Sequence, residues 1–332
     1  MSAEKSSIGI AVLGFGTVGQ GVAEIFQIKK AELEKCCAKK LNIIGVALRD
    51  RHKPRAISMP ENLITTNPLA LVEQENVDIV LELMGGVATA RQCILRALDL
   101  GKPVVTANKA LLAECGEEIF TTAKKNGQPL GYEASVAAGL PIIKILRDGL
   151  ASTEISEISG ILNGTTNFIL SQMQEKGQSY EEAFTTADEL GYLEADPALD
   201  VDGWDAAHKL VILSSIAFKR YVSLNEIERE GIAKITPENL AQAKNEGKTI
   251  KLVASLRKEK GEFKLRVRPE ALDKSHPLAN VGGGLSGVVV RGDFIGEAFF
   301  LGPGAGALPT ASAVVSDLIA ILRDAERSGF GF

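Results

Sequence analysis

An acidic stretch in the second half of the chain carries the residue types best suited to chemistry. From Gly191 to Lys209 it gathers five carboxylates and then a lysine: Glu194, Asp196, Asp200, Asp202, Asp205 and Lys209. So many like charges on a short segment repel one another unless a cation, a proton or a positively charged ligand group lies between them. The stretch therefore predicts a site for such a group, the alternative being a solvated acidic loop with a surface ion pair.

The local pattern indicates how these side chains are positioned. Pro197 and Gly203 mark the first part as a loop, and the run 204–218 has apolar residues at helical spacing. Asp205 and Lys209 would then lie one turn apart on the same helix face. A helix over 180–190 leads into the loop from the other side.

The start of the chain predicts a nucleotide site. A strand-like run, 8–13, is followed by glycines in GxGxxG spacing and then by a helical pattern. The first glycine permits a tight turn, the second lets the backbone approach a pyrophosphate, and the third lets helix and strand pack closely. The cofactor contacts predicted here are Gly14, Phe15, Gly16, Thr17, Val18 and Gly19.

Strands and helices continue to alternate after this loop. Strand patterns at 42–48, 77–83, 103–106 and 128–133 enclose helical patterns at 87–100 and 110–126. Such alternation predicts an α/β fold with a doubly wound, Rossmann-type parallel sheet. The ligand edge of that sheet would carry Met84, Gly85, Thr106 and Lys109.

The end of the second strand bears on the choice of cofactor. An acid there binds the adenosine ribose hydroxyls, whereas an arginine accommodates a 2′-phosphate. Arg49 favours NADP, with Arg51, Lys53 or Arg55 in support, while Asp50 keeps NAD open. A solvated charged loop is the alternative.

A turn of small residues follows the last strand of this sheet. Glu133 ends the strand, Ala134 to Gly139 form the turn, and Pro141 starts a helix. Exposed carbonyls of such a turn, together with the Glu133 carboxylate, are oxygen ligands suited to a hard monovalent cation.

The pattern changes after about Ala151, where we place a domain boundary. Strands at 249–257, 262–267, 287–291 and 295–300 predict an α+β domain, 151–303, with a mostly antiparallel sheet and one open face. An exposed apolar sheet face favours a homodimer. The glycine turn that includes Gly302 and the helix 309–323 suggest that the segment 304–332 returns to the first domain, 1–150, and closes over the nucleotide.

Composition narrows the class of protein. The 332 residues have a net charge of −5, which argues against nucleic acid as a partner. The polar N-terminal residues and the absence of a long apolar run indicate neither a signal peptide nor a membrane helix, so a cytoplasmic protein is expected. The four cysteines have no metal-binding spacing, which suits a reducing compartment.

Six motifs in this order are similar to those of homoserine dehydrogenases over nearly the whole chain: VLGFGTVGQG, TANKALL, YEASVAAGLPII, ILNGTTNFIL, GYLEADPALDVDGWDAAHKL and GPGAGALPTASAVVSDL. The resemblance implies reversible hydride transfer between L-homoserine and L-aspartate 4-semialdehyde with NAD(P), on the route to threonine, methionine and isoleucine. It also implies roles for individual residues. Lys209 would be the acid/base, and Lys109 would lie close to nicotinamide and substrate.

The remaining implied roles concern the substrate and a cation. Glu194, Asp200 and Asp205 would surround the amino and hydroxyl groups of the substrate, so that its ammonium explains the gathering of carboxylates. Tyr192, Gly164 and Thr165 would line the same pocket. Glu133 with the carbonyls of Val136, Ala138 and Leu140 would form a sodium site.

Two other classes stay open at this point. One is another two-domain NAD(P)-linked oxidoreductase of an amino-acid aldehyde or keto acid, and the other is a non-catalytic nucleotide sensor. The chain stops at Phe332, so we expect no C-terminal regulatory domain of the kind that larger members of the family carry.

Overall fold

The computed structural model describes residues 6–190, 193 and 197–324. Its strands are β1 (Ser7–Leu13), β2 (Lys40–Ala47), β3 (Ile64–Thr65), β4 (Ile79–Glu82), β5 (Val104–Thr106), β6 (Leu130–Gly131), β7 (Ile155–Ile161), β8 (Ile227–Arg229), β9 (Lys248–Glu259), β10 (Glu262–Asp273), β11 (Leu285–Gly292) and β12 (Gly296–Pro303). Its helices are α1 (Thr17–Cys37), α2 (Pro68–Val72), α3 (Ala88–Asp99), α4 (Lys109–Lys125), α5 (Ile142–Lys144), α6 (Gly164–Lys176), α7 (Tyr180–Glu189), α8 (Ala198–Val201), α9 (Trp204–Phe218), α10 (Pro237–Asn245) and α11 (Ala307–Asp324).

These elements form two compact units. The first takes in the chain up to Gly139 together with the segment from Gly306, and the second is Leu140–Ala305. The chain thus passes into the second unit before α5, whereas the sequence placed the boundary near Ala151.

The first unit contains a parallel sheet in the order β3-β2-β1-β4-β5-β6. Ile10 and Val12 of β1 pack with α1 and α11 on one face, and Ala11 and Leu13 pack with α2, α3 and α4 on the other. A central strand covered on both faces must be apolar throughout, which explains the unbroken run of apolar residues in β1. The strand order reverses between β1 and β4, and ligands of such sheets bind at the carboxyl edge of that point.

The second unit contains a sheet in the order β12-β11-β7-β9-β10-β8. All neighbouring pairs are antiparallel except β8 with β10. Apolar side chains of β7, β9 and β11 meet at a core that includes Ile161, Val253 and Val289. The predicted α/β class, with a parallel sheet and a mostly antiparallel one, is therefore confirmed.

Several predicted elements differ in extent. The strand predicted at 128–133 is limited to β6, and Glu133–Ser135 forms a 3₁₀ turn. The helix predicted from Pro141 is the three-residue α5, which continues as one π-helical turn, Ile145–Gly149. The short strands β3 and β8 were not predicted, because two- and three-residue strands show no alternation. The helix α10 was not predicted either.

Within the described residues, no helix combines the length and the apolar character needed to cross a membrane.

Candidate active site

The glycine loop after β1 has the three properties that its spacing predicts. Gly14 has φ +98°, and a Cβ placed on it would lie 2.5 Å from the Leu83 carbonyl oxygen. A Cβ on Gly19 would lie 2.3 Å from the Gly14 carbonyl oxygen, so only glycine lets α1 pack this closely. Around Gly16, in contrast, a Cβ would meet nothing within 4 Å. The loop is tight on its inner side and open on its outer side, which fits a pyrophosphate at the start of α1.

A buried carboxyl organises the next part of the same edge. Glu82 ends β4 and is fully buried; it accepts hydrogen bonds from the Thr106 hydroxyl at 2.6 Å and from the Met84 amide at 2.8 Å. Burial raises the pKa of Glu82 to about 7, while the hydrogen bonds from Thr106, Met84 and Asn108 act in the opposite direction. Glu82 therefore ties the loop after β4 to the end of β5.

Asn108 completes this connection and starts α4. Its side-chain oxygen accepts from the Leu111 amide, and its side-chain nitrogen donates to the Gly86 carbonyl at 2.8 Å. Lys109 is the first residue of α4 and is half-buried. The backbone at Gly85 and Gly86 is open, since a Cβ on either would meet nothing within 4 Å. Met84, Gly85, Thr106 and Lys109 thus lie together at the carboxyl edge where a nucleotide would bind.

The charged residues after β2 divide into two groups. Arg55 donates to the carbonyls of Phe15, Lys53 and Asp50 at 2.7–3.1 Å, so its guanidinium fastens this loop to the glycine loop. Asp50 accepts from the His52 amide at 2.8 Å. Arg49 is exposed and, within the described part of the chain, neither it nor Lys53 has an ion-pair partner. These two side chains are free to meet a ligand.

Three residues of the acidic stretch, Asp200, Asp205 and Lys209, form a buried cluster in the second unit. Lys209 Nζ lies 2.7 Å from Asp205 Oδ2, and it also donates to the Leu162 carbonyl at 2.6 Å. Asp200, Asp205 and Lys209 are each less than a tenth exposed. The predicted contact between Asp205 and Lys209 on one helix face is present, and the alternative of a surface ion pair is wrong for it.

Asn163 connects Asp200 with Asp205 in this cluster. The sequence analysis did not predict this role. Its side-chain nitrogen donates to Asp200 Oδ1 at 2.6 Å and to Asp205 Oδ2 at 2.9 Å. Its side-chain oxygen accepts from the Thr166 amide and caps α6. The side-chain amide of Asn163, rather than Thr165 or Thr166, therefore caps this helix. In the sequence, the only sign of this role is that Asn163 comes directly before a glycine.

The turn between α8 and α9 fixes the direction of Asp205. Gly203 has φ +81° and precedes α9. Arg229 lies 3.7 Å from the centre of the Trp204 ring and donates to the Asp202 carbonyl. A Cβ on Gly231 would lie 2.4 Å from the Val201 carbonyl oxygen, so this segment packs backbone against backbone. These contacts position the start of α9, which carries Asp205 and Lys209.

The Glu133 turn is buried at the end of the first unit. Glu133 is 3% exposed, and its amide donates to Asp317 of α11 at 2.8 Å. Ala137 adopts a left-handed conformation with φ 45°, uncommon for a residue with a side chain. Val136 and Ala138 are buried on either side of it, and Leu140 begins the second unit.

Other predicted site residues are spread more widely. Gly164 and Thr165 form the first turn of α6, next to Asn163. Gly302 lies on β12 of the second unit, whereas the other predicted cofactor residues belong to the first. Tyr192 and Glu194 lie outside the described residues.

Comparison with known proteins supports the two halves of the chain separately. The profile of the homoserine dehydrogenase family matches residues 141–319, and the profile of the homoserine dehydrogenase NAD-binding domain matches residues 14–133. Homoserine dehydrogenase from Neisseria gonorrhoeae is 43% identical over 316 residues, which are 95% of this chain and 72% of that protein.

Solved structures of homoserine dehydrogenases are also similar to this chain. A homoserine dehydrogenase from Thiobacillus denitrificans superimposes with a TM-score of 0.93 at 40% identity, covering 97% of this chain and 76% of that chain. A hyperthermophilic archaeal homoserine dehydrogenase mutant in complex with NADPH gives a TM-score of 0.81 at 30% identity, covering 95% and 97% of the two chains. With a glycine loop shaped for a nucleotide in one unit and a buried lysine–carboxylate cluster in the other, the chain belongs to the homoserine dehydrogenase family.

Proposed function

We propose that the chain interconverts L-homoserine and L-aspartate 4-semialdehyde with Lys209 as the acid/base. The observation that carries this role is the position of the Lys209 ammonium. Two of its three N–H groups are directed at Leu162 and Asp205, and among the described residues no acceptor takes the third. That N–H is available to the oxygen of a substrate.

The proton chemistry follows from this geometry. When bound, the nicotinamide nucleotide exchanges a hydride with the carbon that bears the reacting oxygen. In the reductive direction Lys209 donates a proton from Nζ to that oxygen, and in the oxidative direction its neutral amine takes the hydroxyl proton. Asp205 holds Nζ in place through their 2.7 Å ion pair.

The substrate ammonium is assigned to the carboxylates. Asp200 lies with Asp205 around Asn163, so both acids converge on one place. Asp200 and Asp205 are buried acidic side chains, and an amino-acid substrate carries an ammonium that such oxygens bind. Glu194 and Tyr192 are proposed to join them, with Gly164 and Thr165 lining the same pocket.

The nucleotide is assigned to the first unit, and NADP is proposed as the preferred nucleotide. Gly14 to Gly19 are proposed to hold the pyrophosphate, and Met84, Gly85 and Thr106 the nicotinamide half. Gly302 is proposed as a further cofactor contact. Lys109 would serve both nicotinamide and substrate. Support for the 2′-phosphate comes from Arg49 and Lys53, which have no ion-pair partner among the described residues.

A sodium ion is proposed at the Glu133 turn. Glu133 is buried and the backbone at Ala137 is left-handed. Both support the proposal that the Glu133 carboxylate and the carbonyls of Val136, Ala138 and Leu140 bind the ion. Replacing NaCl by choline chloride at equal ionic strength should then lower activity and the thermal unfolding midpoint. Equal values in both salts would contradict the site.

A homodimer is proposed through the edge of the second sheet. Strand β12 lies at that edge, and Phe299 and Leu301 on it are 38% and 49% exposed. Exposed apolar side chains on an unpaired edge are usually covered by a partner. Leu301→Arg should yield a monomer in sedimentation velocity, whereas Leu69→Arg, at an exposed position on α2, should not. A wild-type monomer would refute the proposal.

A cytoplasmic location is proposed as well. Its support is that all four cysteines are free thiols and Cys36 is exposed, an arrangement suited to a reducing compartment.

The deciding experiment follows the oxidation of L-homoserine at mildly alkaline pH by absorbance at 340 nm, with NADP and NAD in parallel. Reduction of either nucleotide is the expected result, with the larger kcat/KM for NADP. A folded protein that binds nucleotide but reduces neither would instead favour another amino-acid aldehyde, a keto acid or a sensor.

A further inference from the structure

Lys251 is a buried lysine that the proposed chemistry does not use. It lies on β9 and is 4% exposed. Its Nζ donates to Asn167 Oδ1 at 2.7 Å, to the Val281 carbonyl at 2.8 Å and to Ser171 Oγ at 3.5 Å. All three acceptors are neutral. Burial lowers the pKa of Lys251 to about 8, with Glu175 acting in the opposite direction.

An ammonium held by neutral acceptors in the interior is costly, because none of the described carboxylates is in hydrogen-bond contact to offset its desolvation. A glutamine or an apolar residue would fill the same space on a strand at lower cost. The segment that Lys251 binds is therefore more relevant to its role than the stability that Lys251 contributes.

What Lys251 holds is the glycine turn, Gly282–Gly284, between Val281 and β11. Lys251 anchors the carbonyl at the start of this turn, and Asn167 donates to the same carbonyl at 3.1 Å and to the Gly283 carbonyl at 3.2 Å. Gly283 has φ +57°. Three consecutive glycines have little conformational preference of their own, so these side-chain contacts determine where the turn lies.

The glycine turn lies against the first turn of α6. A Cβ placed on Gly164 would be 3.8 Å from Gly284 Cα. Asn167, which binds the glycine turn, lies one helical turn after Asn163, and its backbone amide donates to the Asn163 backbone carbonyl at 3.3 Å. The side chain of Asn163 in turn binds Asp200 and Asp205. A continuous set of contacts within the second unit thus runs from Lys251 through α6 to the carboxylates beside Lys209.

We propose that Lys251 is a positioning residue for the substrate: by holding the glycine turn against α6, it fixes the side of the amino-acid pocket next to Gly164 and Thr165. This inference rests on the proposed function of that pocket. It assigns Lys251 no contact with the reacting atoms, so its loss should weaken homoserine binding and leave proton transfer nearly unchanged.

The test compares Lys251→Met with Lys264→Met. Methionine keeps the length of the side chain and removes the ammonium. Lys264 lies on β10, has a side chain that is 39% exposed and pairs with Glu262. The KM for homoserine should rise about tenfold in Lys251→Met, with kcat and the Kd of NADP within about twofold of wild type. Lys264→Met should leave all three values unchanged.

Asn167→Ala provides a second variant in case Lys251→Met does not fold. It removes the other two anchors of the glycine turn and keeps Lys251, so it should raise the same KM in the same selective way. A homoserine KM within about twofold of wild type in either folded variant would overturn the inference, as would a loss of kcat without a change in KM. Wild-type activity is measured in the same series, so an inactive wild type would separately identify a failure of the proposed function.

Discussion

Lys209 and Asp205 form an ion pair of 2.7 Å one helical turn apart on α9, with side chains only 11% and 8% exposed. A pair this well buried differs from a surface i,i+4 pair, because each charge depends on the other for its solvation. The position of Lys209 Nζ is fixed further, because it also donates to the Leu162 carbonyl.

Lys209→Ala should abolish turnover while cofactor binding stays almost intact. Removing a general acid lowers kcat by about 10²–10⁴-fold, and Lys209 belongs to the second unit, whereas the glycine loop belongs to the first. The measurements are kcat for homoserine oxidation and a fluorescence titration of NADPH.

Lys244→Ala, at an exposed position on α10, is the control and should change neither value. If Lys209→Ala lost cofactor binding as much as turnover, a structural role would explain both losses.

Asn163→Ala should destabilise the protein by about 3 kcal/mol, as judged by urea unfolding followed by circular dichroism. The change removes a helix cap, worth about 1 kcal/mol, and takes one hydrogen-bond donor from each of two buried carboxylates, Asp200 and Asp205. Activity should fall as well, because Asp205 loses a contact that fixes it.

Asn67→Ala is a matched control, since Asn67 caps α2 through the Ala70 amide at an exposed position. It should cost about 1 kcal/mol or less and leave activity unchanged. Equal effects of the two substitutions would show that the contacts of Asn163 with Asp200 and Asp205 are unimportant.

The sequence predicted best those features that depend on neighbours along the chain. The left-handed turn at Gly14 and the close packing at Gly19 follow from the glycine spacing, because a strand, a turn and a helix N-terminus leave each of them one environment. The contact between Asp205 and Lys209 follows from helical periodicity in the same way.

Contacts between distant segments were not predictable by this reasoning. Asn163 lies 37 and 42 positions before the two carboxylates that it binds, and Lys251 lies 84 positions after Asn167. A single sequence contains no signal for such pairs. Glu82 resembled an ordinary end of a strand, and its pKa depends on burial that only the packed sheet creates.

Arg49 and Arg55 should affect cofactor binding in different ways. Arg49→Ala should weaken NADP binding about tenfold and leave NAD binding unchanged, because a free guanidinium is expected to meet the 2′-phosphate. Arg55→Ala should weaken both nucleotides to a similar degree, since Arg55 holds the loop to the Phe15 carbonyl.

The measurement is the Kd of each nucleotide for wild type, Arg49→Ala and Arg55→Ala. A parallel loss of both nucleotides in Arg49→Ala would remove the argument for NADP.

Glu82→Gln should remove a pH dependence of stability between about pH 4.5 and 7. The folded state raises the pKa of Glu82 from 4.5 to about 7. In this range the folded state binds more protons than the unfolded state, so the contribution of Glu82 is fully present below pH 4.5 and is lost as pH rises through 7. The loss amounts to about 3 kcal/mol for a shift of this size.

Glutamine keeps the shape of the side chain and can still accept from Met84 and donate to the Thr106 hydroxyl, but it does not titrate. The difference in free energy of unfolding, Glu82→Gln minus wild type, should therefore increase in favour of the variant from pH 5 to 7 and level off above about 8. A difference that stays constant from pH 5 to 8 would mean that Glu82 is ionised throughout, and that its hydrogen bonds with Thr106 and Met84 outweigh the effect of burial.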